Sequence, residues 1–343
     1  MRKLLNTLYV TMPDAYLACD GENVLIKIEN DVKFRVPVHN LEGIVCFGFA
    51  GASPGLMHLC CERGVALSFL TEYGKFMGRV TGKVSGNILL RRNQYRWTEN
   101  DPITVRLAKR FITAKIINSR AVLHRAVRDH PQAVDTELLT DIMKSMANMA
   151  NQLDKAEDLH VIRGLEGQTA NLYFGGFDQL ILAQKDAFCM AGRNRRPPLD
   201  RINALLSFLY TLLTHEVAAA LESVGLDPQA GFLHRDRPGR PSLALDVMEE
   251  LRPHFADRLA VTLINRNQID PNGFVIKENG AVIMDDKTRK EVLVAWQKRK
   301  QEEIMHPYLE EKVSLGLVPY IQAMLLARHI RGDIEDYPPF FWK

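Results

Sequence analysis

The stretch WTENDP, residues 97–102, decides how this chain folds, because the hydrophobic period changes across it. Before it, NTLYVTMPDAYLACDGENVLIKIENDVKFRVPV (6–38) is rich in Val, Ile, Tyr and Phe. Asp20-Gly21 and Glu29-Asn30-Asp31 punctuate it, the composition of strands joined by turns. VALSFLTEYGKFMGRVTG (65–82) reads the same way, with a hairpin turn near Tyr73-Gly74. One helix interrupts the strands from Ser53 to Arg63, with Ser53 as N-cap, Pro54 at the first helical position and Gly64 as the stop. Beyond WTENDP, Leu107, Phe111, Ala114, Ala121 and Val122 fall on one side of a helix. Further helical stretches follow at 136–153, from 156 to about 182, and at 201–224, 242–251, 289–303 and 315–331. A short hairpin, GFVIKENGAVIM (273–284), turns among them at Asn279-Gly280. The expected fold class is therefore α+β: an N-terminal all-β domain over residues 1–97, then a larger, mainly α-helical domain over 102–343.

A chain of 343 residues is long enough for two cores, and 46% hydrophobic with 25% charged residues is a globular composition. The net charge of +3 does not by itself announce a nucleic-acid binder, so any such reading must come from local clusters. Cys19, Cys46, Cys60, Cys61 and Cys189 form no C-x-x-C pair, which points to reduced thiols in a cytoplasmic protein. No run of eighteen apolar residues occurs, so no membrane span is expected.

The chemistry-bearing stretch is GFLHRDRPGRPSLALDVMEELRP (231–253). Pro241 precedes a short helix, Ser242 can cap it, and Leu243, Val247 and Leu251 form its apolar stripe. Asp246 and Glu249, three residues apart, share a neighbouring face, and the loop carrying His234 can fold back over them. Glu166 is a third acidic candidate. Gly164 and Gly167 flank it, and two glycines inside a helical stretch suggest close approach of a backbone or a ligand. One imidazole with two or three carboxylates suits Mg²⁺ or Mn²⁺. The opposing reading is a solvated helix decorated with acids beside an ordinary loop histidine. HEVAA at His215 lacks the second histidine of a zinc site, so His215 and Glu216 are assigned to a packed helix.

Basic residues are locally clustered. Arg106 to Arg128 holds seven Lys or Arg and no acid, with Arg106, Lys109, Arg110, Arg120 and Arg128 in one helical sector. AGRNRRPPLDR adds Arg193, Arg195, Arg196 and Arg201, and KTRKEVLVAWQKRK adds a third group that includes Arg289, Arg299 and Lys300. Such clusters can line a phosphate-binding surface or simply face solvent.

Taken together, these segments resemble the CRISPR-associated spacer-acquisition integrase/endonuclease family, the universal first protein of CRISPR adaptation. The likeness runs along nearly the whole chain and rests on GNILLRRNQYR, EGQTANLYF, PPLDRINALLSFLYTLL, VGLDPQAGFLH, SLALDVMEELRP, LINRNQI, GAVIM and YPPFFWK. It implies a homodimer built largely through the β-domain and a metal, Mg²⁺ or Mn²⁺, held by Glu166, His234 and Glu249, with Asp246 beside them among the catalytic residues. Many relatives carry aspartate where this chain has Glu249, which keeps the charge and lengthens the reach.

The implied reaction is phosphoryl transfer: the 3′-hydroxyl of a short captured DNA attacks a phosphodiester at the edge of a CRISPR repeat. Single- and double-stranded DNA are the implied partners, along with a small ferredoxin-like protein of the adaptation complex. Tyr173 is a candidate for orienting DNA, beside Arg193, Arg195 and Arg196. The alternatives are a general structure-specific nuclease using water as nucleophile, and a non-catalytic DNA scaffold.

Overall fold

The computed structural model describes residues 5–12, 14–48, 50–72, 74, 76–82 and 87–342. Strands come first: β1 (Asn6–Val10), β2 (Tyr16–Asp20), β3 (Asn23–Ile28), β4 (Asp31–Pro37), β5 (Leu41–Phe47) and β6 (Gly51–Ala52). Helix α1 (Pro54–Arg63) follows, then β7 (Ala66–Leu70) and β8 (Phe76–Val80). They form two four-stranded sheets, ordered β4-β3-β2-β6 and β1-β5-β7-β8. β2, β3 and β4 are an antiparallel meander, whereas β1, β5 and β7 run parallel and only β8 turns back. Parallel β5 and β7 require a crossover, which α1 supplies. Ser53 caps α1, accepting from the Leu56 N–H at 3.2 Å, and Gly64 ends it at φ 66°, a left-handed position that suits glycine. Leu17, Val24, Ile44, Cys46, Leu56 and Leu67 lie in the core between these elements. The β7–β8 hairpin forms as expected, although Tyr73 of its turn lies outside the described residues.

The remainder is mainly helical: α2 (Ile88–Thr98), α3 (Asp101–Asp129), α4 (Thr136–Lys155), α5 (Leu159–Gly176), α6 (Arg201–Ser223), α7 (Ser242–Glu249), α8 (Arg258–Asn265), α9 (Asp286–Gln301) and α10 (Val318–Arg331). Two small hairpins interrupt it, β9 (Phe274–Ile276) with β10 (Val282–Met284) and β11 (Glu303–Met305) with β12 (Lys312–Ser314). The fold is thus α+β in the expected order, but helix begins earlier than expected. α2 starts nine residues before WTENDP and ends inside it at Thr98, so most of it lies in the stretch expected to be strand. Asn87 caps α2 by accepting from the Leu89 N–H at 2.9 Å, and α2 packs on α3 and α10 through Leu90. Its apolar Ile-Leu-Leu run resembles a strand, and only packing against helices decides otherwise.

A second core runs through the helices and reaches into the sheet at Phe47 and Leu70. α6 is long and apolar enough to cross a membrane by length and composition, yet most of it is buried inside the molecule against α7, α8 and α10. Its apolarity is that of a central helix with neighbours on every side.

Candidate metal centre and basic cavity

Helix α7 is buried on every face, which excludes the solvated-helix reading. Asp246 is 0% exposed and Glu249 1%. Such carboxylates stay buried only when hydrogen-bonded or paired. Ser242 is not the N-cap that its position suggests: Pro241 is, and the Ser242 hydroxyl donates to the Arg235 carbonyl at 3.2 Å. The Pro228 carbonyl accepts from the first helical amides, Leu243 at 2.9 Å and Ala244 at 3.2 Å. The loop before the helix is therefore also its cap.

That loop is pinned at three places. Gln94 on α2 donates to the carbonyls of Asp227 (2.8 Å) and Ala230 (3.0 Å) and accepts from the Asp227 N–H (2.9 Å). Arg163 on α5 donates to the Leu233 carbonyl at 2.7 Å. Asp246 Oδ2 accepts from the Phe232 (2.6 Å) and Leu233 (2.9 Å) amides, and Oδ1 from the His234 amide at 3.0 Å. Gly231 makes the approach possible, since a Cβ there would lie 2.7 Å from the Ser242 carbonyl carbon and 2.9 Å from Asp246 Oδ2.

Asp246 Oδ1 also meets His234 Nδ1 at 2.6 Å. With the Nδ1 proton directed to the carboxylate, Nε2 carries the lone pair, and it faces Glu249 Oε1 at 3.9 Å. Across from them, α5 brings Glu166, half-buried, to the same point. Between Glu166 and Glu249 stands Lys115 of α3, whose ammonium pairs with Glu166 Oε1 and with Glu249 Oε2 at 2.8 Å. Arg252 holds the other oxygen of Glu249 at 2.7 Å. Burial alone would raise the Glu249 carboxyl, but Arg252 first and Lys115 next reverse this and hold it down at about 2, so it is ionised. Burial likewise disfavours the Lys115 ammonium, and Glu249 and Glu166 more than restore it.

Among the described residues no three His, Cys, Asp or Glu side chains close on one point tightly enough to enclose a metal ion, because Lys115 stands in the gap. The donor set nonetheless fits a divalent ion. Two carboxylates on separate helices already share one cation, and the free imidazole nitrogen faces one of them. Asp246 is beside this set rather than in it, with its oxygens turned to its own loop.

Of the two readings of the glycines flanking Glu166, close approach of a backbone is excluded. A Cβ at Gly164 or Gly167 would meet nothing within 4 Å, so no backbone crowds them and open space adjoins the glutamate. Tyr173 is also corrected: it is 4% exposed, ringed by Phe174 and Phe177, and its hydroxyl donates to Asp257 at 3.1 Å. As placed it has no surface to offer DNA.

A cavity of about 1500 Å³ opens beside His234 and Arg252. Arg195, Arg196, Arg237 and Arg240 line it, with Phe76 and His215 on its far wall. Arg195 and Arg196 are exposed. Arg193 turns inward instead, donating to the Asn203 side chain and the Asn194 carbonyl, both at 2.5 Å, and lying 5.2 Å from the Tyr210 ring centroid. Arg237 and Arg240 were legible in RDRPGR, which sets three arginines between His234 and the helix. Lys115 was counted in the basic run of α3 but lies outside the sector of Arg106, Lys109, Arg110, Arg120 and Arg128, and that was the signal available. Elsewhere on that run Lys109 donates to the Asp154 carbonyl at 2.8 Å, and Arg110 and Arg128 pair with Asp336 and Asp129. In the third cluster Arg289, Arg299 and Lys300 are buried. Lys300 pairs with Glu42 at 2.9 Å and Glu216 at 3.0 Å, and the Trp296 indole donates to Glu216 at 2.8 Å. Glu216 therefore belongs to a packed helix, as expected.

A family model described as CRISPR associated protein Cas1 matches residues 8–298. The chain is 54% identical over 343 residues, the whole of both chains, to a protein of Chlorobaculum tepidum named CRISPR-associated endonuclease Cas1 1. It is 52% identical, again over the whole of both, to CRISPR-associated endonuclease Cas1 2 of Rhodospirillum rubrum. Among solved structures, a casposase bound to integration product matches 97% of this chain and 92% of that one, with a TM-score of 0.84 at 22% identity. A CAS1 protein from Thermotoga maritima matches 95% and 97%, with a TM-score of 0.81 at 21% identity.

Proposed function

The chain belongs to the CRISPR associated protein Cas1 family, and from that premise we propose that it is a metal-dependent DNA endonuclease/integrase that inserts short captured DNA into a CRISPR repeat array by phosphoryl transfer. The observation that carries this is that Glu166 and Glu249 share the Lys115 ammonium while His234 Nε2 faces Glu249, and that His234 also lines an arginine-rich cavity. These three residues would hold Mg²⁺ or Mn²⁺. When bound, the ion supplies Lewis-acid polarisation of a phosphodiester.

The chain's own groups do the rest. Asp246 fixes the His234 ring and tautomer, so we assign it a positioning role. Arg252 keeps Glu249 ionised and oriented. Arg195, Arg196, Arg237 and Arg240 would neutralise the phosphates of a DNA strand laid in the cavity. The same site would serve hydrolysis when water replaces the 3′-hydroxyl.

We further assign residues 1–97 to dimerisation and 102–343 to catalysis. β4 carries Val32 and Phe34, 49% and 56% exposed, on an edge strand, an arrangement that invites a second copy. The reading also includes a small ferredoxin-like partner protein and a cytoplasmic setting. One solved structure of similar fold, covering all of this chain with a TM-score of 0.82, is described as a Cas6-RT-Cas1--Cas2 complex. The test is a strand-joining assay with that partner, repeat-bearing DNA and Mn²⁺. Joined product that disappears in Glu166→Ala and His234→Ala is expected. Cutting of branched DNA with no joining would favour the nuclease alone, and full joining by either variant would remove that residue from the site.

A further inference from the structure

Lys115 is the charged group this mechanism leaves without a role. It lies on the inner face of α3 among Ile112, Ile116 and Ser119, is 8% exposed, and its ammonium touches both carboxylates assigned to the metal. A long cationic side chain loses both hydration and rotamer freedom at such a position, and nothing in the apolar pattern of α3 calls for it. Without it, Glu166 and Glu249 would face each other across two helices with only Arg252 to balance them.

We propose that Lys115 is a resident counter-cation that holds Glu166 and Glu249 together in the metal-free protein and must release at least one of them when a divalent ion binds. This inference rests on the metal reading above. It makes the metal-free site a closed and nearly neutral cluster. Metal loading becomes an exchange of one cation for another, not the filling of an open cage. Metal affinity is then set partly by the ammonium that the ion displaces. Lys115 is thus a positioning residue whose removal should tighten metal binding while it weakens the metal-free fold.

The experiment uses the full chain, stripped of metal by chelation, with Mn²⁺ alone as the probe. Calorimetric titration and thermal melting are run on wild type and on Lys115→Met, which keeps an unbranched stem one atom shorter and removes the charge. The expected result has three parts: a lower metal-free melting temperature in the variant, a larger rise on adding Mn²⁺, and a Mn²⁺ dissociation constant about tenfold or more below that of wild type, the scale of one unpaired buried charge. Lys115→Arg keeps the cation and is expected to bind Mn²⁺ no more tightly than wild type. Equal or weaker Mn²⁺ binding by folded Lys115→Met overturns the proposal. So does a variant that stays unfolded even in saturating Mn²⁺, because the ion would then fail to replace the ammonium. Absence of Mn²⁺ binding in wild type and both variants would instead remove the metal reading itself.

Discussion

Asp246 has four donors on two oxygens: the amides of Phe232, Leu233 and His234, and His234 Nδ1. Asp246→Asn replaces one of those oxygens with a donor that meets other donors, leaving buried polar groups unsatisfied at about 1–3 kcal/mol. The melting temperature is expected to fall and strand joining to be lost, with an NMR change in the His234 tautomer. An unchanged tautomer would separate Asp246 from ring positioning. Glu249 has a different liability. Its removal leaves the largely buried Arg252 without this carboxylate and Lys115 with Glu166 alone, so Glu249→Ala should cost about 3–5 kcal/mol of stability as well as activity. Glu166 is half-buried and shares only one of those cations. Glu166→Ala should therefore abolish joining with a much smaller shift in melting temperature. Equal shifts for the two would mean that the burial difference does not govern the cost.

At the scale of elements, α7 is held from its far end by the chain terminus. Glu250 accepts from the Tyr337 hydroxyl, from the Phe340 amide at 2.8 Å and from Gln322 at 3.1 Å, while Asn118 donates to the Glu250 and Phe340 carbonyls. Burial raises the Glu250 carboxyl from 4.5 to about 7, outweighing the hydrogen bonds that lower it. The folded chain then binds this proton more tightly than the unfolded chain does. Stability should rise as pH falls from about 7 towards 4.5 and be lost again as pH is raised through 7. Glu250→Gln cannot titrate, so its melting temperature should vary less across that window and be lower throughout. An unaltered pH slope in the variant would assign the dependence to Asp257, which burial pushes up to about 6.

Over the whole molecule, charge and edges matter more than any one contact. Arg195 and Arg196 face the cavity, whereas Arg193 is spent on Asn203 and Tyr210. Changing Arg195 and Arg196 together to alanine should flatten the log-log dependence of DNA affinity on salt by about one to two units, measured by fluorescence anisotropy. An unchanged slope would place the DNA path elsewhere. For the proposed dimer, Phe34→Lys on β4 puts a charge on the exposed apolar edge. It should shift the mass found by light scattering from two chains towards one. A persistent dimer would move the interface away from this strand.

The period change around WTENDP, the caps of α1, and the stripe of Leu243, Val247 and Leu251 were all readable from the chain. They depend on local geometry, which repeats every few residues. Glu166, His234, Asp246 and Glu249 were readable as candidates for the same reason, through their spacing and the motifs around them. The residues of α2 were misread as strand because a short apolar run has no period long enough to discriminate. Which acids share the Lys115 cation and which holds the loop was decided only in three dimensions. So were the burial of Tyr173, the inward turn of Arg193 and the insertion of Lys115 between Glu166 and Glu249. Some of these depend on contacts between helices 50 or more residues apart, such as Lys115 with Glu166 at a separation of 51, and others on shorter returns of the chain, such as Asp246 to the Phe232 amide at 14 and Arg193 to Asn203 at 10. A lysine off the basic sector of its helix can be read as turned inward, but the two carboxylates it ends between are fixed only by the packing of α3, α5 and α7.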